Sequence, residues 1–131
     1  MEADFRSLLV GDPALVGLVA ARVYPKTYAQ ATVDPAVRYT RITGGVGVHM
    51  RGSDGLFSAT MQVDARALTE KEALAIQDAI IERLHCFRGV EGTTDFRLIV
   101  LDSGPRGAFD DTGPKSYFTT SMDFAVSYRA A

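Results

Sequence analysis

Two histidines, one cysteine and an adjacent pair of aspartates are the side chains of this 131-residue chain best suited to chemistry. His85 and Cys86 are neighbours in ERLHCF. Adjacent helical residues do not share a face, so a thiolate and its base would have to be assembled from Cys86 and the distant His49. The plainer reading is structural: Cys86 as a small buried apolar residue late in a helix, His85 as a helix-end residue facing the dipole, His49 on a surface loop. Asp110 and Asp111 offer oxygen ligands, but a calcium loop needs them at alternate positions with a distal Glu, which FDDTGPKS lacks. The pair reads as a solvated acidic loop. ITGGVGVHMRG has the glycines of a phosphate-binding loop but continues as strand rather than helix, so nucleotide binding is unsupported. A lone cysteine permits neither an internal disulfide nor a cysteine metal framework. No catalytic, cofactor or metal site is expected, and the chain is read as a non-enzyme.

The bulk composition points the same way. At 131 residues, 47% hydrophobic and 23% charged, the chain suits a single domain over residues 1–131 with one core. Net charge is -2 and the fourteen Lys and Arg are scattered singly, which disfavours sequence-independent nucleic-acid binding. No apolar run approaches the ~18 residues that span a bilayer, and the start MEADFRSLLVG is acidic where a secretory signal is basic. No membrane association and a cytoplasmic site of synthesis are expected.

The elements that would position a site follow from hydrophobic period. EADFRSLLV, residues 2–10, gives a short helix with Phe5, Leu8 and Leu9 on one face, ended by Gly11. Asp12 and Pro13 open a second helix running to about Ala21. Tyr24 to Pro35 reads as a surface connection and Ala36 to Thr43 as a strand. GGVGVHMRGSDG, Gly44 to Gly55, holds five glycines in twelve residues, which predicts a mobile hairpin or loop, with a short strand around Val46 to Met50 as the other option. Phe57, Ala59, Met61, Val63 and Ala65 alternate with polar residues, so a two-faced strand follows. Thr69 and Glu72 then form a capping box opening a helix of about five turns, striped by Ala73, Ile76, Ile80, Leu84 and Phe87 and closed by Gly89 and Gly92. DFRLIVLD, Asp95 to Asp102, is an inner strand, Gly104 to Ser116 a second long loop, and Tyr117 to Arg129 a long closing strand. The fold class is α+β: an antiparallel sheet with helices packed on one face and long Gly-rich loops.

In order and spacing, these segments resemble the tail completion, or tail terminator, proteins of long-tailed bacteriophages and related gene transfer agents. The resemblance is carried by Val23, Tyr24 and Pro25 after the N-terminal helices, the PAV strand, the Val63–Asp64 step, the alanine-rich helix and the closing MDFAVSYR, and runs from about Met1 to Arg129. Membership would imply a structural virion protein that forms a homo-hexameric ring on the head-proximal end of the tail. Such a ring stops polymerisation of the major tail tube protein and joins the tube to the head-tail connector or stopper. DNA passes through it without specific binding. A connector component is the nearest alternative, and a small ligand-binding or catalytic domain the alternative from another class.

A ring subunit must present different surfaces to its neighbours, to the tube and to the connector. The two glycine-rich stretches supply the candidates: Gly44, Gly45, Val48, His49, Met50 and Arg51 in the first, Arg106, Phe109 and Lys115 in the second. Asp110 and Asp111 are candidates to face a DNA channel, where acidic charge discourages sticking.

Overall fold

Alternation along one strand organises the molecule. Ala59, Met61, Val63, Ala65 and Ala67 are all buried, while Ser58, Thr60, Gln62 and Arg66 take the opposite face. A computed structural model describes residues 1–28, 35–49, 52–110 and 116–130, with side chains left aside for 43–49, 52–55 and 110. The elements run α1 (Glu2–Val10), α2 (Pro13–Val19), β1 (Val23–Pro25), β2 (Ala36–His49), β3 (Gly52–Ala67), α3 (Glu70–Leu84), β4 (Phe87–Glu91), β5 (Thr94–Asp110) and β6 (Tyr117–Ala130). All strands join one sheet in the order β1-β2-β3-β6-β5-β4. The sheet curls into a half-barrel.

The α+β class holds, but two parts of the expected arrangement need correction. The sheet is mixed, because β1 pairs parallel to β2, Val23 with Val37 and Pro25 with Tyr39. The "connection" after Tyr24 therefore begins as an edge strand. Nor do the helices form one layer on one face: α3 lies across β3, β5 and β6, α1 touches the two edge strands β1 and β4, and α2 packs chiefly on α1 and α3. Curling explains this, since a half-barrel brings both edges toward one short helix. Phe5, Leu8 and Leu9 of α1 are fully buried. At roughly 1.5–3 kcal/mol for each such side chain, α1 is integral to the core.

Among the described residues the first glycine-rich stretch is a hairpin, one of its expected forms, and the second, expected as a loop, is strand from Gly104 to Asp110. β2 and β3 form a long hairpin in which His49 pairs with Gly52, and β5 runs on to pair Phe109 with Phe118 and Asp110 with Tyr117. Glycine inside a strand signals a bulge as readily as a loop. Register shifts fall between Arg41 and Thr43 and between Val46 and Val48 in β2, and on either side of Ser103 in β5. Gly104, at φ +89°, has Ser121 O only 2.7 Å from where a Cβ would stand. No other residue fits there without a shift.

The long helix is shorter than its stripe suggested. Thr69 Oγ1 accepts from the Glu72 amide at 3.2 Å, as the capping box requires, but α3 stops at Leu84, with His85 extended and Cys86 at φ +65°. Phe87 opens β4 instead, packing edge-on against Phe96. Cys86 is exposed, contrary to expectation, because the turn out of α3 points it away from the core. His85 ends the helix as expected, and its Nδ1 accepts the Leu101 amide at 3.0 Å.

Candidate functional site

The face of β2, β3, β5 and β6 turned away from the helices is polar throughout its centre. Asp64 on β3 lies between Arg38 on β2 and Ser121 on β6, its register partners on either side. Its Oδ2 accepts from Arg38 Nη2 at 2.7 Å and Nε at 3.0 Å, and its Oδ1 accepts from Gln62 Nε2 at 3.1 Å and from Ser121 Oγ. The carboxylate is thus buried yet fully bonded, the condition under which a buried charge is tolerated. Beside it Arg66 stacks between the rings of Tyr28 and Tyr117, 4.0 and 4.4 Å from their centroids. Arg106 joins the same face, bonded to Ser103 Oγ at 3.0 Å and Asp123 Oδ1 at 3.4 Å. This network knits four strands together, and Arg38, Arg66 and Arg106 each have an anion or a ring as partner.

The opposite face carries the apolar surface. Between α3 and the β5–β6 hairpin runs a groove of about 540 Å³, lined by Leu74, Ala73 and Gln77 on one side and Gly107, Phe109 and Phe118 on the other. Phe109 is 55% exposed and Leu74 46%. Two large apolar side chains are thus left in water on opposite walls of one groove. Glu70 is the only ionisable group among its described lining residues.

A third feature closes the half-barrel. From α1, Arg6 donates to Val23 O at 3.0 Å on the β1 side, while Asp4 Oδ2 accepts from Thr94 Oγ1 at 2.6 Å and Thr93 Oγ1 at 3.2 Å at the β4–β5 turn. The Thr94 hydroxyl above all holds the Asp4 carboxyl below its ordinary value near 3.8, against a smaller opposing effect of burial. Gly92, at φ +60°, leaves room for that carboxylate, since a Cβ there would meet Asp4 Oδ1 at 2.1 Å. Burial raises the Tyr39 phenol.

The sheet scatters the residues singled out from sequence. Gly44, Gly45, Val48 and His49 belong to β2, away from the groove, whereas Arg106 and Phe109 lie on opposite faces of β5. Asp110 ends β5, its side chain outside the described set; Met50, Arg51, Asp111 and Lys115 lie outside the described residues altogether. Cys86, whose amide bonds Ile99 O on β5, and His49 on β2 are held apart by β3 and β6. Among the described residues no cluster of three His, Cys, Asp or Glu could hold a metal, and no helix is long and apolar enough to cross a membrane. Sequence reasoning missed the groove and the Asp64 network. The alternation placed Asp64 on the polar face but carried no sign of its burial.

No family model matches the chain, and no curated protein matches it. Solved structures do. The chain superposes on a chain of the virion of a native gene transfer agent particle with a TM-score of 0.71, covering 98% of this chain and 94% of that one at 13% identity. It therefore shares the fold of that virion component.

Proposed function

We propose that this chain is a structural virion protein that acts as a tail terminator. In this reading a homo-hexameric ring sits on the head-proximal end of the tail, stops growth of the tail tube and offers its far side to the head-tail connector. One observation carries the reading: a likeness to a gene transfer agent virion chain that spans nearly the full length of both chains. Two further features support it. Beyond Tyr39 in β2 and beyond Leu101 in β5 no described strand lies on the outer side, so the sheet has a free flank at each side where neighbours can sit. The exposed apolar groove gives one flank something to bind. Asp110 and Asp111 are proposed to face the DNA channel, in keeping with the net charge of -2.

Electron microscopy of particles produced without the protein tests this. Overlong tubes with few joined heads, corrected by adding the purified chain, are expected. Tails of normal length that fail to attach would move the assignment to the connector, and normal infectious particles would end the virion reading.

A further inference from the structure

We infer that the groove between α3 and the β5–β6 hairpin receives Arg41 and Ile42 of a second copy of this chain. The proposal rests on the ring-forming reading but names a surface and an occupant that the reading leaves open.

The groove lacks only a counter-charge and an apolar filler. Glu70 is its single described ionisable lining residue, and its carboxylate makes no hydrogen bond or ion pair among the described residues. A lone anion beside Leu74 and Phe109 selects an apolar partner carrying a cation. The opposite flank of the same sheet offers that combination. Ile42 is 50% exposed at the first β2 bulge, and the adjacent Arg41 is exposed with no hydrogen bond or ion pair among the described residues. Of the other exposed cations on the described surface, Arg97, Arg106 and Arg129 already engage Asp95 or Asp123, and Lys26, Lys71 and Arg88, without an ion pair among the described residues, lie after β1, on α3 and on β4 rather than on the free flank of β2.

One molecule cannot satisfy both halves, because β3 and β6 separate β2 from β5. Contact between copies can, and it is head-to-tail: each copy gives Arg41–Ile42 to one neighbour and its groove to the other. Arg41 follows Val37 and Tyr39 on the helix-bearing face, the face on which α3 walls the groove, so the two surfaces meet without turning a copy over. They are offset along the strands, Arg41 lying level with Met61, Phe124 and Leu101 and the groove level with Ala67, Phe118 and Phe109. Strands of successive copies would thus run inclined to the assembly axis, as closed barrels require.

Sedimentation velocity of the purified chain at up to ~1 mM, the weakest affinity a specific contact of this kind should show, provides the test. Arg41→Glu and Glu70→Arg should each weaken association about tenfold or more, since each sets like charges at a desolvated junction. Mixing the two variants should restore it, because copies alternating around the assembly regain the opposite pair at every junction. Ile42→Asp should weaken it independently. Association that survives all three substitutions would overturn the proposal while leaving a ring built on another surface. A wild-type chain that stays monomeric would also overturn it, and the tube-capping assay above would still decide the terminator reading by itself.

Discussion

The two halves of β5 are buried very differently along one strand. From Thr94 to Leu101 the strand lies between β4 and β6 and buries Phe96 and Ile99 completely; from Asp102 onward only β6 accompanies it, and every described side chain through Phe109 is exposed. Phe96 is 0% exposed and Phe109 55%, though both are phenylalanines on the helix-bearing side of the same strand. Residue type therefore does not settle burial. What lies across the strand does: α3 and β4 cover the inner half, while the outer half has only β6 beside it among the described residues.

That contrast breaks most sharply through the core. Phe96→Ala is expected to cost about 3–5 kcal/mol in denaturant unfolding, the usual cost of emptying a closed site, and a loss below ~1 kcal/mol would mean that the inner half is not core. Next comes the polar face. Asp64→Ala removes the acceptor for Arg38, Gln62 and Ser121, and a loss of ~2–3 kcal/mol is expected, below the full cost of a broken buried pair because the Arg38 side chain is 35% exposed. The parallel change at Asp95, whose partners Arg97 and Arg129 are more than half in solvent, should cost under ~1 kcal/mol. Gly104→Ala sets a side chain against Ser121 O at positive φ, at the junction of the two halves, and should cost ~1–3 kcal/mol.

The smallest effects are the most informative about use. Asp4 has its carboxyl lowered in the fold, so its contribution is present above the unfolded value near 3.8 and is lost as pH falls through the folded one. Thermal melts should show Asp4→Asn less stable than wild type at neutral pH, with the gap closing at low pH; a gap independent of pH would assign the loss to packing. Phe109→Ser should leave stability within ~0.5 kcal/mol, as an exposed surface change does, yet impair tube capping. Loss of fold with Phe109→Ser would place the outer half inside the core after all.

Much of the fold was legible because period is a local property. The alternation of β3, the stripe of α3, the cap at Thr69 and the apolar face of α1 all survive in the structure. What escaped depends on partners distant in sequence. Val23 to Pro25 is too short to alternate and becomes strand only because β2 lies beside it. Gly44 to His49 and Gly104 to Asp110 look like loops because bulges need the residues that loops use. Phe87 kept the helical spacing yet lies in β4, since His85 and Cys86 turn the chain after α3. The groove was invisible for the same reason: nothing in the residues around Leu74 showed Phe109 across from it.

The clamp at Asp4 also has a consequence in time. Its partner Thr94 stands 90 residues further along the chain, so a ribosome releases α1 long before the turn that holds it exists. Contacts of such separation close late and slow the search. Helix α1 is made well before it can be fastened, and until β4 and β5 emerge its three buried side chains, Phe5, Leu8 and Leu9, have no complete pocket. The half-barrel thus closes at α1 only once β4 and β5 have been made.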